Sequence, residues 1–178
     1  MIGAFLEKIY GKVLVNRNLN IPSELSAYES RPPYNDLRLI YGKLQTLRGY
    51  DDFVKVKKLS PVDYYVPDPG FIVEVDESQH FTEQRKVTLE SYPEHLRLGF
   101  DKDRWITLCA SYRRKDNDPP YRDEQRAWYD TLRDFAPLQL GIFPTARIFP
   151  GDAVWCDLQT DVDQDVQAFL RSYYLRRE

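Results

Sequence analysis

The chain has 178 residues, of which 42% are hydrophobic and 14% aromatic, and its formal net charge is −3. This length suits one compact domain, and no apolar run approaches the roughly 20 residues that span a bilayer. The slight acidity differs from the strongly basic balance typical of nucleic-acid-binding domains, although 25 Lys and Arg residues are present to gather on one face. We therefore expect a soluble domain over residues 1–178, with N-terminal helices in residues 1–50.

The first residues lack the basic segment and small-residue cleavage site of a signal peptide, so we expect no export. Cys109 and Cys156 lie far apart and outside any CxxC or Cys/His cluster, which argues against structural zinc. Isolated cysteines fit a reducing compartment. These features predict a cytoplasmic protein.

Apolar residues at three- and four-residue spacing predict a first helix over residues 2–13. Three prolines predict a loop over 20–33, after which Asp36 is expected to cap a second helix that ends at Gly49. Residues 53–58 alternate apolar side chains with lysines. That pattern predicts a partly exposed strand.

Residues 62–66 and 71–75 are rich in β-branched and aromatic side chains, and Pro-Asp-Pro-Gly lies between them. This pattern predicts a hairpin. Asp63 on the first strand and Glu74 on the second would then approach each other. Two convergent carboxylates are what a hard divalent ion such as Mg²⁺ requires, so phosphoryl chemistry is plausible.

Thr82 is expected to cap a short helix that is broken at Pro93. The apolar residues of 105–112 recur with helical period, and a strand over 105–109 is an open alternative because a short apolar run is ambiguous. The polar, proline-terminated segment 113–120 is expected to be a surface loop.

Asp123 is expected to open a further helix, residues 145–149 a strand, and Thr160 a last helix. The predicted order of helices and strands is that of a mixed α/β protein. No repeat, low-complexity tract or linker divides the chain.

Three segments carry a resemblance: Asp63, then Glu-Val-Asp-Glu-Ser-Gln-His at 74–80, then Tyr-Arg-Asp-Glu-Gln-Arg at 121–126. Together they resemble the PD-(D/E)XK nuclease superfamily, and most of all its small members related to very-short-patch repair endonucleases. The resemblance covers roughly residues 60–150, within a motif-bearing core at about 50–150. Its central motif is moderately specific, whereas the later Asp-x-x-Arg alone is weak.

The resemblance implies a three-layer α/β/α restriction-endonuclease-like fold with a central mixed sheet. It implies a metal-dependent endonuclease that hydrolyses DNA in restriction, repair or defence against mobile elements, with RNA as an open alternative and a homodimer or larger complex allowed. By the same resemblance, Asp63, Glu74 and the carbonyl of Val75 would hold Mg²⁺ or Mn²⁺.

The chain departs from the family pattern at two positions: Asp76 stands where the catalytic lysine is expected, and Glu77 replaces a glycine. Gln79, His80, Arg85 and Lys86 are candidates to replace the lysine. We favour His80, because a neutral imidazole accepts a proton near pH 7, with Asp76 either joining the metal ligands or orienting His80. The missing lysine also supports an alternative, a catalytically inactive module that binds nucleic acid or protein. A metal-dependent phosphoesterase acting on small substrates is a second alternative.

Lysine and arginine side chains supply sequence-independent affinity for the phosphate backbone, although such residues are often merely solvated or ion-paired. The candidate nucleic-acid contacts are Arg85, Lys86, Arg113, Arg114, Arg122 and Arg126.

Overall fold

The computed structural model describes residues 2–152, which form one mixed sheet and the helices around it. Three short 3-10 turns complete this part of the chain, at Leu25–Tyr28, Ser78–His80 and Pro150–Asp152. In chain order the main elements are α1 (Ile2–Tyr10), β1 (Leu14–Arg17), α2 (Tyr34–Arg48), β2 (Val62–Val66), β3 (Phe71–Val75), α3 (Glu83–Glu90), α4 (Lys102–Tyr112), α5 (Arg122–Leu140) and β4 (Phe143–Ile148).

The strands follow one another across the sheet in the order β1-β2-β3-β4. The first two pairings are antiparallel and the pairing of β3 with β4 is parallel. A parallel pair needs a long crossover connection, which α3, α4 and α5 provide here. The α/β class is therefore confirmed, with an open mixed sheet.

The hairpin of β2 and β3 has the predicted bounds. Gly70 ends its turn with φ +97°, a left-handed conformation that L side chains rarely adopt. Tyr64 pairs with Val73 in the antiparallel register, which places Asp63 opposite Glu74. The turn chemistry thus sets which two carboxylates meet.

Alternate residues of β3 point to opposite faces of the sheet, and each face has its own apolar cluster. Ile72 belongs to the larger cluster, with Trp105 of α4 and Trp128 of α5. The smaller cluster packs α1 against the other face and comprises Phe5, Leu6, Val13, Val66, Phe71, Val73, Ala146 and Ile148.

Local signals located several helix ends correctly. Gly49, at φ +78°, follows the last residue of α2, and the Thr82 hydroxyl accepts a hydrogen bond from the Arg85 backbone N–H at the start of α3. The structure decides the ambiguous run at 105–109 in favour of helix, within α4. Residues 113–120 form no helix, as predicted.

Other boundaries differ from the prediction. The first helix ends at Tyr10, because Gly11 adopts φ +78°, so Val13 lies beyond it. Asp36 lies in the first turn of α2 rather than capping it, since Pro33 holds the cap position. Likewise α5 begins at Arg122, one residue before the predicted start.

The predicted strand at 53–58 is wrong. Part of its backbone is bonded by side chains of α5: the Gln125 amide donates to the Phe53 carbonyl, and the Lys55 N–H donates to the Tyr129 hydroxyl. Near its end, the Ser23 N–H donates to the Lys57 carbonyl, and Lys58 forms an isolated antiparallel bridge with Pro22. The segment is extended and anchored to α5 without entering the sheet.

The predicted strand at 145–149 corresponds to β4, which begins two residues earlier and ends at Ile148. The last predicted helix, at Thr160, and Cys156 lie outside the described residues. Within residues 2–152, no helix combines the length and apolarity that a bilayer crossing demands.

Gly99 packs directly on the backbone of β4. A Cβ at this position would lie 2.7 Å from the Thr145 carbonyl oxygen and 3.0 Å from that of Pro144. Gly99→Ala should therefore destabilise the protein by about 1–3 kcal/mol through overpacking, measured by urea or thermal unfolding. Gly42→Ala is the matched control in α2, where nothing lies within 4 Å of the new Cβ. It should stabilise by about 0.5–1 kcal/mol, and equal effects of the two changes would contradict the packing at Gly99.

Candidate active site

Five of the six predicted catalytic and metal-binding residues line one pocket at the end of the β2–β3 hairpin. Its volume is about 440 Å³. The hairpin supplies Asp63 and Glu74 directly opposite each other, and the Asp63 Oδ2 accepts a hydrogen bond of 2.8 Å from the Val75 N–H. Besides these two carboxylates, the lining includes Ser60, Val75, Glu77, Gln79, His80 and Arg133.

Glu74 is nearly enclosed, yet its Oε1 atom has no hydrogen-bond partner among the described residues. The Arg133 Nε lies 3.2 Å from that oxygen, but the contact does not have the geometry of a hydrogen bond. This Nε is also enclosed, and it makes no hydrogen bond within residues 2–152. Burial raises the pKa of Glu74 to about 8, against the attraction of Arg133 and Arg147. Glu74 is therefore a carboxyl whose ionised form still lacks sufficient partners.

Asp76 lies two residues further along the strand and is satisfied inside the protein. Its Oδ1 accepts a hydrogen bond of 2.6 Å from Arg147 Nη1, and its Oδ2 accepts one of 2.7 Å from the indole N–H of Trp105. With both oxygens engaged and the residue 1% exposed, Asp76 does not line the pocket. Asp76 was expected either to bind the metal ion with Asp63 and Glu74 or to orient His80, and its hydrogen bonds do not support metal binding.

His80 has one ring nitrogen turned to the interior. Its Nδ1 lies 3.0 Å from the Asp130 Oδ2 and 3.6 Å from the Asp76 Oδ1. Because a carboxylate only accepts, Nδ1 carries the proton, and Nε2 is the nitrogen left for the pocket. Asp130, on α5, is thus the residue that orients His80.

The pKa of His80 lies above its ordinary value. Burial alone would lower it, but the charge and hydrogen bond of Asp130, together with the charge of Asp76, outweigh burial. In turn, the pKa of Asp130 falls below its ordinary range because His80 and Arg147 outweigh its own burial. The pair therefore favours the protonated imidazole more strongly than an isolated histidine would, and it keeps Asp130 ionised.

Asp76, His80 and Asp130 each offer a ligand atom within 4.8 Å of the others, a group that could hold a metal ion. However, the fully enclosed Arg147 guanidinium lies among them, 2.6 Å from Asp76 Oδ1 and 3.6 Å from Asp130 Oδ1. The Arg147 guanidinium therefore already supplies a cation to this group. The opposed pair of Asp63 and Glu74, which Arg147 does not bond, is the better candidate for a divalent ion.

Arg147 also belongs to a wider buried network between β4, α5 and α3. Its Nε donates to the Asp134 Oδ1 at 2.8 Å, and Arg85 donates to the other oxygen of Asp134 at 2.7 Å. Arg85 further donates to the Tyr92 hydroxyl and is 1% exposed. The prediction that Arg85 contacts nucleic acid is therefore wrong, because its guanidinium is buried and hydrogen-bonded inside the protein.

The other candidate nucleic-acid contacts lie outside the pocket. Lys86 is near Glu83 and Glu90 on its own helix. The Arg113 Nε donates to a carbonyl of α4, and the Arg114 guanidinium lies over the Tyr112 ring.

On α5, Arg122 donates to the Gln125 side chain. Arg126 donates to the Gln79 carbonyl and to Asp116, each at 3.0 Å. Arg126 thus supports the turn that carries Gln79 and His80 rather than lining the pocket itself.

Sequence analysis missed two residues that complete the site, Asp130 and Arg133. Both come from α5, far along the chain from the hairpin. The available signal was the recurrence of charged side chains on α5, because such a stripe on a helix that also carries an apolar stripe indicates buried polar contacts. These charged residues are Asp123, Arg126, Asp130, Arg133 and Asp134.

A scan of protein-family models, a search of curated proteins and a search of solved structures each gave no match to this chain.

The environment of His80 makes a prediction for its titration. Asp130→Asn removes the charge that favours the imidazolium, so the pKa of His80 should fall, while wild-type His80 should titrate above the ordinary value of about 6.5. The chain has two histidines, and NMR of the ring protons can follow both, with the exposed His95 as the internal reference. Asp36→Asn is the matched control, because Asp36 lies 3.8 Å from His95. An unchanged His80 titration in Asp130→Asn would sink the assignment.

Proposed function

We propose that the protein is a metal-dependent deoxyribonuclease with a restriction-endonuclease-like fold. The observation that carries the proposal is the pairing of Asp63 and Glu74 across two strands in a pocket that also contains His80. Apolar clusters on both faces of the sheet support the three-layer arrangement, with α1 on one side. The choice of DNA rests on the resemblance of the motif segments.

The residues present fit a hard divalent cation. Two carboxylates converge, and the enclosed Oε1 of Glu74 has no hydrogen-bond partner within residues 2–152. Asp63 and Glu74 would hold the ion, with the Val75 carbonyl as a further ligand by resemblance. When bound, Mg²⁺ or Mn²⁺ would polarise the scissile phosphate and lower the pKa of the attacking water.

His80 is the proposed general base. Its Nε2 takes a proton from water as the water oxygen forms a bond to phosphorus, and the bond from phosphorus to the leaving sugar oxygen breaks. That oxygen takes a proton from solvent, and His80 later releases its own. Asp130 holds Nδ1 throughout, which fixes the ring and stabilises the imidazolium formed. Gln79 lines the same pocket and is anchored through its carbonyl by Arg126.

The raised pKa of Glu74 makes a prediction for metal binding. Because Glu74 must lose its proton to bind an ion, affinity for Mn²⁺ should rise by up to about tenfold per pH unit towards pH 8 and level off above it. Calorimetry at pH 7 in two buffers of different ionisation enthalpy should detect about one proton released per ion bound.

Glu74→Gln should abolish both the binding and the proton release. Glu94→Gln is the matched control, since Glu94 is exposed and does not line the pocket. Identical Mn²⁺ uptake by wild type and Glu74→Gln would place the ion elsewhere.

The proposed chemistry predicts cleavage of DNA that requires a divalent ion. Asp63→Asn and Glu74→Gln should abolish turnover with little loss of DNA affinity, because they remove stabilisation of the transition state. His80→Ala should reduce cleavage by about 10²–10⁴-fold. Since the base must be neutral, the wild-type rate should rise with pH through the raised pKa of His80, and His80→Ala should lose that rise.

Gel assays on supercoiled plasmid and on labelled duplexes, with Mg²⁺ or Mn²⁺, measure these rates. RNA and small phosphodiesters should be assayed beside DNA. Cleavage of small phosphodiesters alone would favour the phosphoesterase alternative. Inactivity of the folded wild type on every substrate would favour an inactive module that binds nucleic acid or protein.

A further inference from the structure

Position 76 offers the pocket no positive charge, since its aspartate is bonded to Arg147 and Trp105. Phosphodiester hydrolysis builds negative charge on the non-bridging oxygens of the phosphate. A fixed cation aimed at those oxygens stabilises the transition state. A second element must therefore supply this charge if the pocket is to hydrolyse phosphodiesters.

Arg133 is the arginine that lines the pocket. It reaches the pocket from α5, and its Nη2 donates to the Ser60 hydroxyl at 2.9 Å, which fixes the plane of the guanidinium. Its Nε lies against Glu74, 3.2 Å from Oε1. Within residues 2–152, Nη1 donates no hydrogen bond, and it is not one of the enclosed atoms that lack a partner. Nη1 is therefore the nitrogen left for a ligand.

The contact with Glu74 does not account for Arg133 as a structural ion pair. A structural Arg–carboxylate pair in the interior usually forms parallel hydrogen bonds, as charge-assisted pairs do. Here Nε and Oε1 face each other within 3.2 Å, and both lack a hydrogen bond among the described residues. Two enclosed, unpartnered polar atoms of opposite charge at one pocket wall are costly unless a ligand completes their bonding.

We propose that Arg133 is a catalytic residue, whose guanidinium binds a non-bridging oxygen of the scissile phosphate and stabilises the charge that develops there. This role rests on the proposed nuclease function. Arg133 transfers no proton, because a guanidinium stays protonated in proteins. Asp63 and Glu74 would hold the cation, and Nη1 of Arg133, whose Nε lies beside Glu74, would bind the phosphate in the same pocket.

The test compares single-turnover cleavage of a labelled duplex at saturating Mn²⁺. Arg133→Gln keeps an amide for Ser60 but removes the charge, and should slow cleavage by about 10²–10³-fold, the usual effect of losing one such donor. Arg133→Lys keeps the charge and should recover at least about tenfold of that loss. Arg38→Met, which removes an exposed charge of α2, should stay within about twofold of wild type.

Arg133 could instead act only by compensating the charge of Glu74. Measuring the affinity for Mn²⁺, and the affinity for the duplex in Ca²⁺, distinguishes the two roles. If Arg133 only compensated Glu74, raising the pH or the Mn²⁺ concentration would restore cleavage by Arg133→Gln, and that result overturns the proposal. If wild type cleaves DNA and the rate of Arg133→Gln is within about threefold of the wild-type rate, the catalytic role of Arg133 is overturned and the nuclease function stands. An inactive wild type overturns both.

A second measurement uses the wild type alone, in case Arg133→Gln does not fold. The guanidinium resonances of ¹⁵N-labelled Arg133 should shift when a cleavage-resistant duplex is added in Ca²⁺. Unshifted resonances at saturating duplex would refute the phosphate contact.

Discussion

The fully buried guanidinium of Arg147 ties together the elements that build the site. It extends from β4 to Asp76 at the end of β3, and to Asp134 and the Asp130 carbonyl on α5. Burying charges is expensive, and removal of one partner from such a network typically costs about 3–5 kcal/mol because the others lose their compensation. The network therefore stabilises one relative placement of β3, β4 and α5, and this placement forms the wall of the pocket.

The charge balance of this network explains the state of His80. Three carboxylates, those of Asp76, Asp130 and Asp134, face the two guanidiniums of Arg147 and Arg85. The remaining negative charge favours a proton on His80, which lies at the border of network and pocket. Glu74 shares the strand face of Asp76 but has no hydrogen bond from Arg147. Two carboxylates two residues apart thus differ in role: one is bonded inside, and the other is left for a ligand.

Local chemistry allowed much of the fold to be predicted from sequence. The Pro-Asp-Pro-Gly turn, the Thr82 cap and Gly49 act within a few residues of themselves, and the elements they define were placed well. The strand prediction at 53–58 is wrong because this segment bonds to Gln125 and Tyr129 of α5 and to Ser23, none of which belongs to a strand of the sheet. The motif segments predicted the carboxylates and His80 as one group, since these are close in sequence. Asp130 and Arg133 were missed because only the crossover between β3 and β4 brings α5 to the hairpin.

The aspartate at position 76 and Arg147 make sense only together. A lysine at 76, as in the family that the motif resembles, would place an ammonium against a guanidinium that is already enclosed, and two like charges without water between them repel strongly. Because Arg147 is buried at the end of β3, an acidic residue at position 76 can accept its hydrogen bond and balance its charge. In the proposed nuclease, the positive charge that phosphate chemistry requires would then come from another element of the pocket. Arg133 of α5, which lies beside Glu74, would supply that charge, so the departure from the motif at position 76 is compatible with the proposed site.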